Sequence, residues 1–299
     1  MTANLSEGIA KVSELFRLNG LDAASFTGDL GDLFEHSPWV AELAAPSRPF
    51  ATARLLHTAM LRIVREAGES RQLALIRAHP ELAGKEAVAG TMTDDSMSEQ
   101  SRLGLTRLAR EDFDRLSELN RRYRETFGFP CIIALRRHSS LASLLAAFEQ
   151  RLAHSRETEI KTAISEIEHI TEGRLAQRLG LADGRLSTHV LDTTTGLPGV
   201  GMAYRLSIAR AGAWDLVAAG QTNANGRTNQ PLLSGLDMAA GTYRLEFQVG
   251  DYFRARGTSS VDPPFLDIVP IEFGIADPSQ HYHVPLLCTP WSYSTYRGS

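Results

Sequence analysis

Cysteine is scarce in this chain of 299 residues, with only Cys131 and Cys288 present. Two such thiols build neither a disulfide framework nor a cysteine metal cluster, and they read as buried thiols of a reducing compartment. A surplus of charge is also missing: 31 Lys and Arg against 35 Asp and Glu leave a net charge of −4. Nothing in that balance points to nucleic acid. No apolar run reaches the roughly 18 residues that cross a bilayer, so no membrane partner is expected. The start lacks a basic stretch leading into an apolar one, so no secretory signal is expected. The terminal Arg297-Gly298-Ser299 is not an SKL-type peroxisomal address. A cytoplasmic protein is therefore expected. Repeats, low-complexity segments and the Gly-x-Ser-x-Gly turn of a serine nucleophile are absent as well. What is present is a 43% hydrophobic content, enough for real cores, at a length comfortable for two domains.

The hydrophobic period changes near residue 180. Before it, apolar residues recur at helical spacing. Phe50 to Ala67 places Leu55, Leu56, Ala59, Met60 and Ile63 on one stripe and stops at Gly68. Ser37-Pro38 reads as an N-cap followed by Pro at the first helical position. From Glu99 to Phe127 the pattern predicts one long helix ending at Gly128, and Leu141–Leu152 and Ile160–Leu175 predict two more. The short Cys131-Ile132-Ile133 run is the one candidate strand. After residue 185 the period becomes two. Met202, Tyr204, Leu206 and Ile208 form one alternating set; Tyr243, Leu245, Phe247 and Val249 a second; Val269, Ile271, Phe273 and Ile275 a third. Turn residues at 195–199, Asn225-Gly226 and Asp262-Pro263-Pro264 separate them. The expected fold is thus α + β multidomain: an all-α domain over 1–178, a linker over 179–185, and an antiparallel β-sandwich over 186–299.

Three pieces of the second half carry ionisable groups. In Leu186-Ser187-Thr188-His189-Val190-Leu191-Asp192, His189 lies on the opposite face from Val190. In Thr222-Asn223-Ala224-Asn225-Gly226-Arg227, the Asn-Gly hairpin signal puts Arg227 at the start of the returning strand. In His281-Tyr282-His283, the two histidines share one face, while Tyr282, Val284 and Leu286 share the other. The chain then closes on Tyr296-Arg297-Gly298-Ser299, an end rich in polar groups and expected to be tied into a site. No third ligand at zinc spacing accompanies His281-x-His283, so no metal is expected. A histidine base and an arginine suit attack of water on a carbonyl, with stabilisation of the oxyanion.

The segments THVLD, TNANGR, HYHVPLL and the closing YRGS resemble the 5-hydroxyisourate hydrolases, the transthyretin-like enzymes of urate breakdown. The resemblance covers residues 186–299. It implies a transthyretin-type sandwich with His189, Arg227, His283 and Ser299 as the catalytic set. Tyr296, Arg297 and Gly298 are implied beside the substrate. Spacing alone does not decide between His281 and His283. A tetramer through the β-domain is also implied, with sites at subunit interfaces.

In the first half the informative run is Ala78-His79-Pro80-Glu81-Leu82-Ala83-Gly84-Lys85. Pro80 drives His79 out of α geometry and ends the helix there, so His79 can project into a cavity or interact with the last carbonyls. Ser96-Met97-Ser98-Glu99-Gln100 reads, from the residues alone, as a capping box before a long helix. Phe127 to Ile133 reads as a helix stop and a short buried segment.

Together HPELAGK, SMSEQ and FGFPCII resemble the decarboxylases of 2-oxo-4-hydroxy-4-carboxy-5-ureidoimidazoline (OHCU) over residues 5–175. The resemblance implies an all-α fold that can dimerise, with His79 as catalytic acid and Glu99 beside it. The implied substrate contacts are Pro80, Ser96, Met97, Ser98 and Gln100, with the Phe129, Pro130, Cys131, Ile132 and Ile133 loop. An arginine of the last helix is implied too, either Arg174 or Arg151. The family carries an aromatic residue where Cys131 stands, a change that a backbone contact would survive. Decarboxylation can use the substrate's own conjugated ring as the electron sink, so no cofactor is expected.

The two resemblances are to successive steps of urate breakdown. The expected function is conversion of 5-hydroxyisourate to OHCU and of OHCU to (S)-allantoin, by a homo-oligomer acting on small molecules. The rival is a transthyretin-like ligand carrier with a helical accessory domain. Such a carrier would want an apolar channel, where this sequence supplies His189, Arg227 and His283.

Overall fold

A computed structural model describes residues 14–84, 94–102, 104–258 and 261–298. The chain divides into two compact units, Met1–Leu179 and Gly180–Ser299. Among the described residues, no helix is long and apolar enough to cross a membrane.

The first unit is helical: α1 (Glu14–Gly20), α2 (Ala23–Leu30), α3 (Trp39–Ala44), α4 (Ala53–Glu66), α5 (Glu69–Ala78), α6 (Asp94–Arg102), α7 (Arg110–Phe127), α8 (Leu141–Arg151) and α9 (Arg156–Arg178). Short polar side chains start several of them. Asp22, Thr52, Ser140 and Ser155 each accept the backbone N–H three residues on, which satisfies a donor that the first helical turn leaves free. Ser37 does not do this. Its hydroxyl donates to the Glu35 carbonyl, and α3 begins after Pro38 rather than at it.

The buried stripe of α4 is rotated from the predicted one. Ala53, Leu56, His57, Met60, Leu61 and Val64 are buried, whereas Leu55 is 48% exposed. Leu55 and Leu56 are equally apolar, so composition could not choose the face; the neighbouring helices chose it. The predicted single helix over 99–127 is broken: α6 ends at Arg102, a 3-10 turn spans Leu105–Arg107, and α7 starts at Arg110. Residues 131–133 form no strand. They run without regular secondary structure through the core, where Tyr123, Phe127, Phe129 and Phe148 pack as an aromatic cluster.

The second unit is a sandwich built on one apolar core. Sheet β5-β4-β7-β8 joins β4 (Ala203–Arg210), β5 (Ala213–Gln221), β7 (Gly241–Gln248) and β8 (Ile268–Ile275), all antiparallel. Facing it are β6-β1-β9, with β1 (Arg185–Ser187), β6 (Leu233–Ser234) and β9 (His281–His283), and β11-β10-β2-β3, with β2 (Val190–Asp192), β3 (Leu197–Pro198), β10 (Leu286–Cys288) and β11 (Tyr293–Ser294). Leu186, Val190, Leu206, Leu245, Phe247, Tyr282 and Leu286 meet in the core between them. Two pairings are parallel, β1 with β9 and β2 with β10, in an otherwise antiparallel fold. Val249 does not continue β7 as its period suggested; it opens a short helix, α10 (Val249–Ala255). Strand β5 gave no alternation to read because nearly all of it is exposed.

Candidate active sites

In the helical unit, α5 stops at Ala78 and His79 turns extended before Pro80, as the Pro demands. The side chain then points inward and is 6% exposed. Its Nδ1 lies 3.0 Å from the Leu75 carbonyl, while its Nε2 is buried without a partner. A carbonyl only accepts, so Nδ1 carries the proton and Nε2 presents a lone pair. Burial pushes the pKa of His79 down to about 4; the Leu75 carbonyl and Glu35 act in the opposite sense. His79 is therefore neutral near pH 7.

His79 opens onto a recess of about 350 Å3, counting its mouth, lined also by Pro80, Leu82, Ser96, Glu99, Gln100, Cys131, Ile132, Ile133, Leu135, Ile170 and Arg174. Ser96 and Glu99 lie inside α6, and they do not form the predicted capping box. The Ser96 hydroxyl donates instead to Glu35, at 3.0 Å. Arg174, from α9, organises this wall. Its Nε and Nη2 grip Glu99 at 3.0 and 3.1 Å, Nη2 also reaches Ser96 at 3.0 Å, and Nη1 reaches Glu35 at 2.8 Å. Burial alone would lower the pKa of Arg174, but Glu99 and Glu35 hold it above its ordinary value. Glu99 thus bonds to Arg174, and the carboxylate that acts on His79 is Glu35.

Other expected contacts fall in different places. Met97 and Ser98 are exposed on α6, away from the lining, and Phe129 is buried in the aromatic cluster with Pro130 next to it. Gln100 latches the loop after Pro80: its amide accepts from the Ala83 N–H at 2.9 Å and donates to the Glu81 carbonyl at 3.2 Å. Ala83 needs that support, because it holds a left-handed φ of 49°. Arg151 is behind the recess, bonded to Glu159 and to the Ile132 carbonyl, so it braces the 131–133 loop from the core side. Cys131 is buried, which pushes its thiol up to about 12. Glu35 was not singled out in the sequence. Its signal was an acidic residue beside Phe34, one of the most buried side chains of the unit.

In the β-unit, the Asn223–Arg227 turn closes on itself, with Asn223 N–H to Arg227 O at 2.7 Å. Gly226 has φ of 69° and packs so tightly that a Cβ there would stand 2.4 Å from the Val190 carbonyl. This docking pairs Arg227 with His189 across a single antiparallel bridge, rather than starting the predicted strand. His281 and His283 project on one face of β9, with Tyr282 buried on the other, as alternation required. Burial lowers the pKa of His283, helped by the charges of Arg227, His281 and His189. His189 is lowered by burial and by Arg227. His281 is lowered by burial and then by Arg185. His283 therefore stands in one cluster with Arg227, His281 and His189.

The tail is stitched to this cluster. His283 and Gly298 exchange backbone hydrogen bonds, and a Cβ at 298 would come within 2.9 Å of His283 Cδ2. Arg297 lies over the Tyr282 ring at 4.8 Å and donates to Gln280 at 2.8 Å, so it anchors the tail on the face away from the histidines. Tyr296 is 59% exposed. Ser299 lies outside the described residues.

Residues 19–176 match the model of the OHCU decarboxylase family, and residues 186–298 match the HIUase/transthyretin family. The chain joins one member of each family. The second part is 53% identical over 116 residues to the 5-hydroxyisourate hydrolase of Ralstonia nicotianae, covering 39% of this chain and 99% of that protein. The first is 43% identical over 164 residues to the OHCU decarboxylase of Haloferax volcanii, covering 55% of this chain and 95% of that protein. The solved structure of an (S)-allantoin synthase spans both parts: 34% identical, 95% of this chain, 99% of that chain, TM-score 0.50. A decarboxylase domain followed by a hydrolase domain is thus the organisation of the chain, and its role lies in urate degradation.

Proposed function

We propose that the sheet unit hydrolyses 5-hydroxyisourate to OHCU at His189, Arg227 and His283, and that the helical unit decarboxylates OHCU to (S)-allantoin at His79. The observation that carries this reading is the pairing of the two families in one chain, each with its own cluster of polar groups.

In the sheet unit, His283 is neutral at pH 7 and suited to take a proton from water. The water oxygen bonds to the ring carbonyl carbon, and Arg227 stabilises the oxyanion that develops. No carboxylate among the described residues pairs with Arg227, which leaves it available for an anion. The backbone bridge between His189 and Arg227 sets the two residues side by side. Collapse expels the ring nitrogen, which takes the proton back from the imidazolium. Gly298 pins the tail to His283 beside this site.

In the helical unit, OHCU carries a hydroxyl and a carboxylate on one carbon. When the C–COO bond breaks, its electron pair moves into the neighbouring C=N system of the ring. The ring nitrogen that receives the pair takes a proton from solvent, the one that replaces CO2, and the enol so formed must lose its O–H proton and gain a proton on carbon. The lone pair on His79 Nε2 can take the first and return it to one face of the second, which fixes the enantiomer. His79 acts as the acid only after it has acted as the base. Arg174 is occupied by Glu99 and Glu35, so the carboxylate that leaves is not neutralised by a free guanidinium. It sits near Glu99, which disfavours the anion more than the dispersed charge of the transition state. Pro80, Ser96 and the backbone of residues 131–133 frame the ring, while Gln100 and Arg151 hold the loops behind them.

The two buried thiols support a reducing cytoplasmic compartment. Exposed apolar residues support self-association of the sheet unit into a tetramer: Leu216 is 51% exposed and Trp291 63%. Dimerisation of the helical unit follows from family resemblance. A ligand carrier is the weaker reading, because the sheet unit is 53% identical to a 5-hydroxyisourate hydrolase over 99% of that protein and presents titratable groups.

The test uses freshly generated 5-hydroxyisourate, followed by ultraviolet absorbance and circular dichroism. His283→Ala should leave the decay of 5-hydroxyisourate at its spontaneous rate. His79→Ala should consume it normally and yield allantoin without optical activity. A wild-type optical signal from His79→Ala, or wild-type decay in His283→Ala, would overturn the assignment of that step.

A further inference from the structure

Strands β1 and β9 run parallel, and their register sets Ser187 opposite His283 and Arg185 opposite His281. Side chains that alternate on neighbouring strands share a face. Ser187 therefore stands against both histidines. Its Oγ is 2.8 Å from His281 Nε2 and 3.0 Å from His283 Nδ1.

A hydroxyl has one proton to donate. Bonded to two imidazole nitrogens, it donates to one ring and accepts an N–H from the other. Two arrangements satisfy this. In the first, His283 carries its proton on Nε2, Ser187 donates to His283 Nδ1, and His281 donates to Ser187. In the second, His283 carries its proton on Nδ1 and donates to Ser187, which donates to His281 Nε2. Only the second leaves a lone pair on His283 Nε2.

We infer that Ser187 is a positioning residue of the hydrolase site, whose hydroxyl ties His281 to His283 and fixes His283 as the Nδ1–H tautomer with Nε2 free to act as base. The inference rests on the reading of His283 as that base. The proton balance holds without any rotation of the hydroxyl. Water gives a proton to Nε2 as its oxygen bonds to the carbonyl carbon. The imidazolium keeps Nδ1–H donated to Ser187, and Ser187 stays donated to His281. Nε2 then returns the proton to the departing ring nitrogen. In the first arrangement Nε2 is already protonated, and no base faces the water. His281 has a part here that spacing could not assign: it receives the Ser187 proton and so directs the hydroxyl.

The groups that face this trio are Arg227 and His189 beside His283, Gly298 against its ring, and Arg185 beside His281. None of their side chains offers another acceptor for the Nδ1 proton.

The experiment uses the full chain as wild type, Ser187→Ala and Ser187→Thr. Two readouts are taken: steady-state hydrolysis and the ring 15N–1H correlation of His283, assigned by its loss in His283→Gln. Wild type should show His283 protonated on Nδ1, and His283 on Nε2 would overturn the inference without any variant. Ser187→Ala should lose kcat roughly 10- to 100-fold, the range for outer partners that orient an imidazole. Its KM should stay within about twofold, since the hydroxyl orients the base rather than holding substrate. The Nε2–H form should appear in its spectrum. Ser187→Thr keeps the hydroxyl and should restore both rate and tautomer. A wild-type kcat in Ser187→Ala, a lost rate with the Nδ1–H form intact, or a folded Ser187→Thr without recovery would each overturn it. If His283→Gln hydrolyses at the wild-type rate, the base reading itself fails; if it is inactive and Ser187→Ala is not, only the positioning role fails.

Discussion

The protonation state of His79 makes a prediction that separates two mechanisms by pH alone. Burial pushes its pKa down to about 4, from an ordinary 6.5. At pH 7 only about one molecule in a thousand then carries the imidazolium. A decarboxylation that starts from imidazolium would lose about 4 kcal/mol at pH 7, and its rate would rise tenfold for each pH unit between 7 and 5. A decarboxylation that starts from the lone pair on Nε2 should instead be flat from about pH 8 to 5 and fall below that. The assay is the initial rate of optically active allantoin from OHCU, with the spontaneous racemic decay subtracted. A tenfold rise per unit as pH falls from 7 to 5 would refute the base-first reading. The same shift makes a stability prediction. The folded pKa is below the unfolded one, so the unfolded chain takes up the proton first as pH drops. The stability from burying neutral His79 is complete above pH 6.5 and is lost between 6.5 and 4, up to about 3 kcal/mol. His57, also pushed to about 4 by burial, loses a similar amount over the same window. The helical unit should therefore melt at lower temperature at pH 5 than at pH 7, and less so in His57→Gln.

Two further outcomes follow from contacts described above. Gly298→Ala adds a methyl 2.9 Å from His283 Cδ2, which must move the ring or the tail; a misplacement of this size can cost about 100-fold in hydrolysis, and a wild-type kcat would show that the tail does not hold His283. Arg174→Met removes the guanidinium that bonds the buried Glu35 at 2.8 Å, and breaking such a buried pair should destabilise the helical unit by about 3–5 kcal/mol; the double variant Arg174→Met/Glu35→Gln should recover part of this, and additive losses in a melting cycle would deny the coupling.

Several features were settled by the sequence itself, because they depend on neighbours along the chain. The change from a period near four to a period of two divided the protein into helical and sheet units. Pro80 fixed the end of α5, and with it the turn that sends His79 inward. Strict alternation put His281 and His283 on one face of β9 and Tyr282 on the other. The motifs around them were enough to indicate both families. Tertiary structure decided which groups answer one another. Ser96 and Glu99 have the spacing of a capping box, yet their partners are Glu35 and Arg174, 61 and 75 residues away. Leu55 and Leu56 are alike as residues, and only the packing around α4 buried one and exposed the other. Ser187 and His283 are 96 residues apart, and the parallel register of β1 on β9 brought them within 3.0 Å. Local pattern encodes backbone conformation and the face a side chain takes. It carries no record of which distant charge or hydroxyl will stand opposite, because that depends on how separate elements pack once each has buried its apolar side.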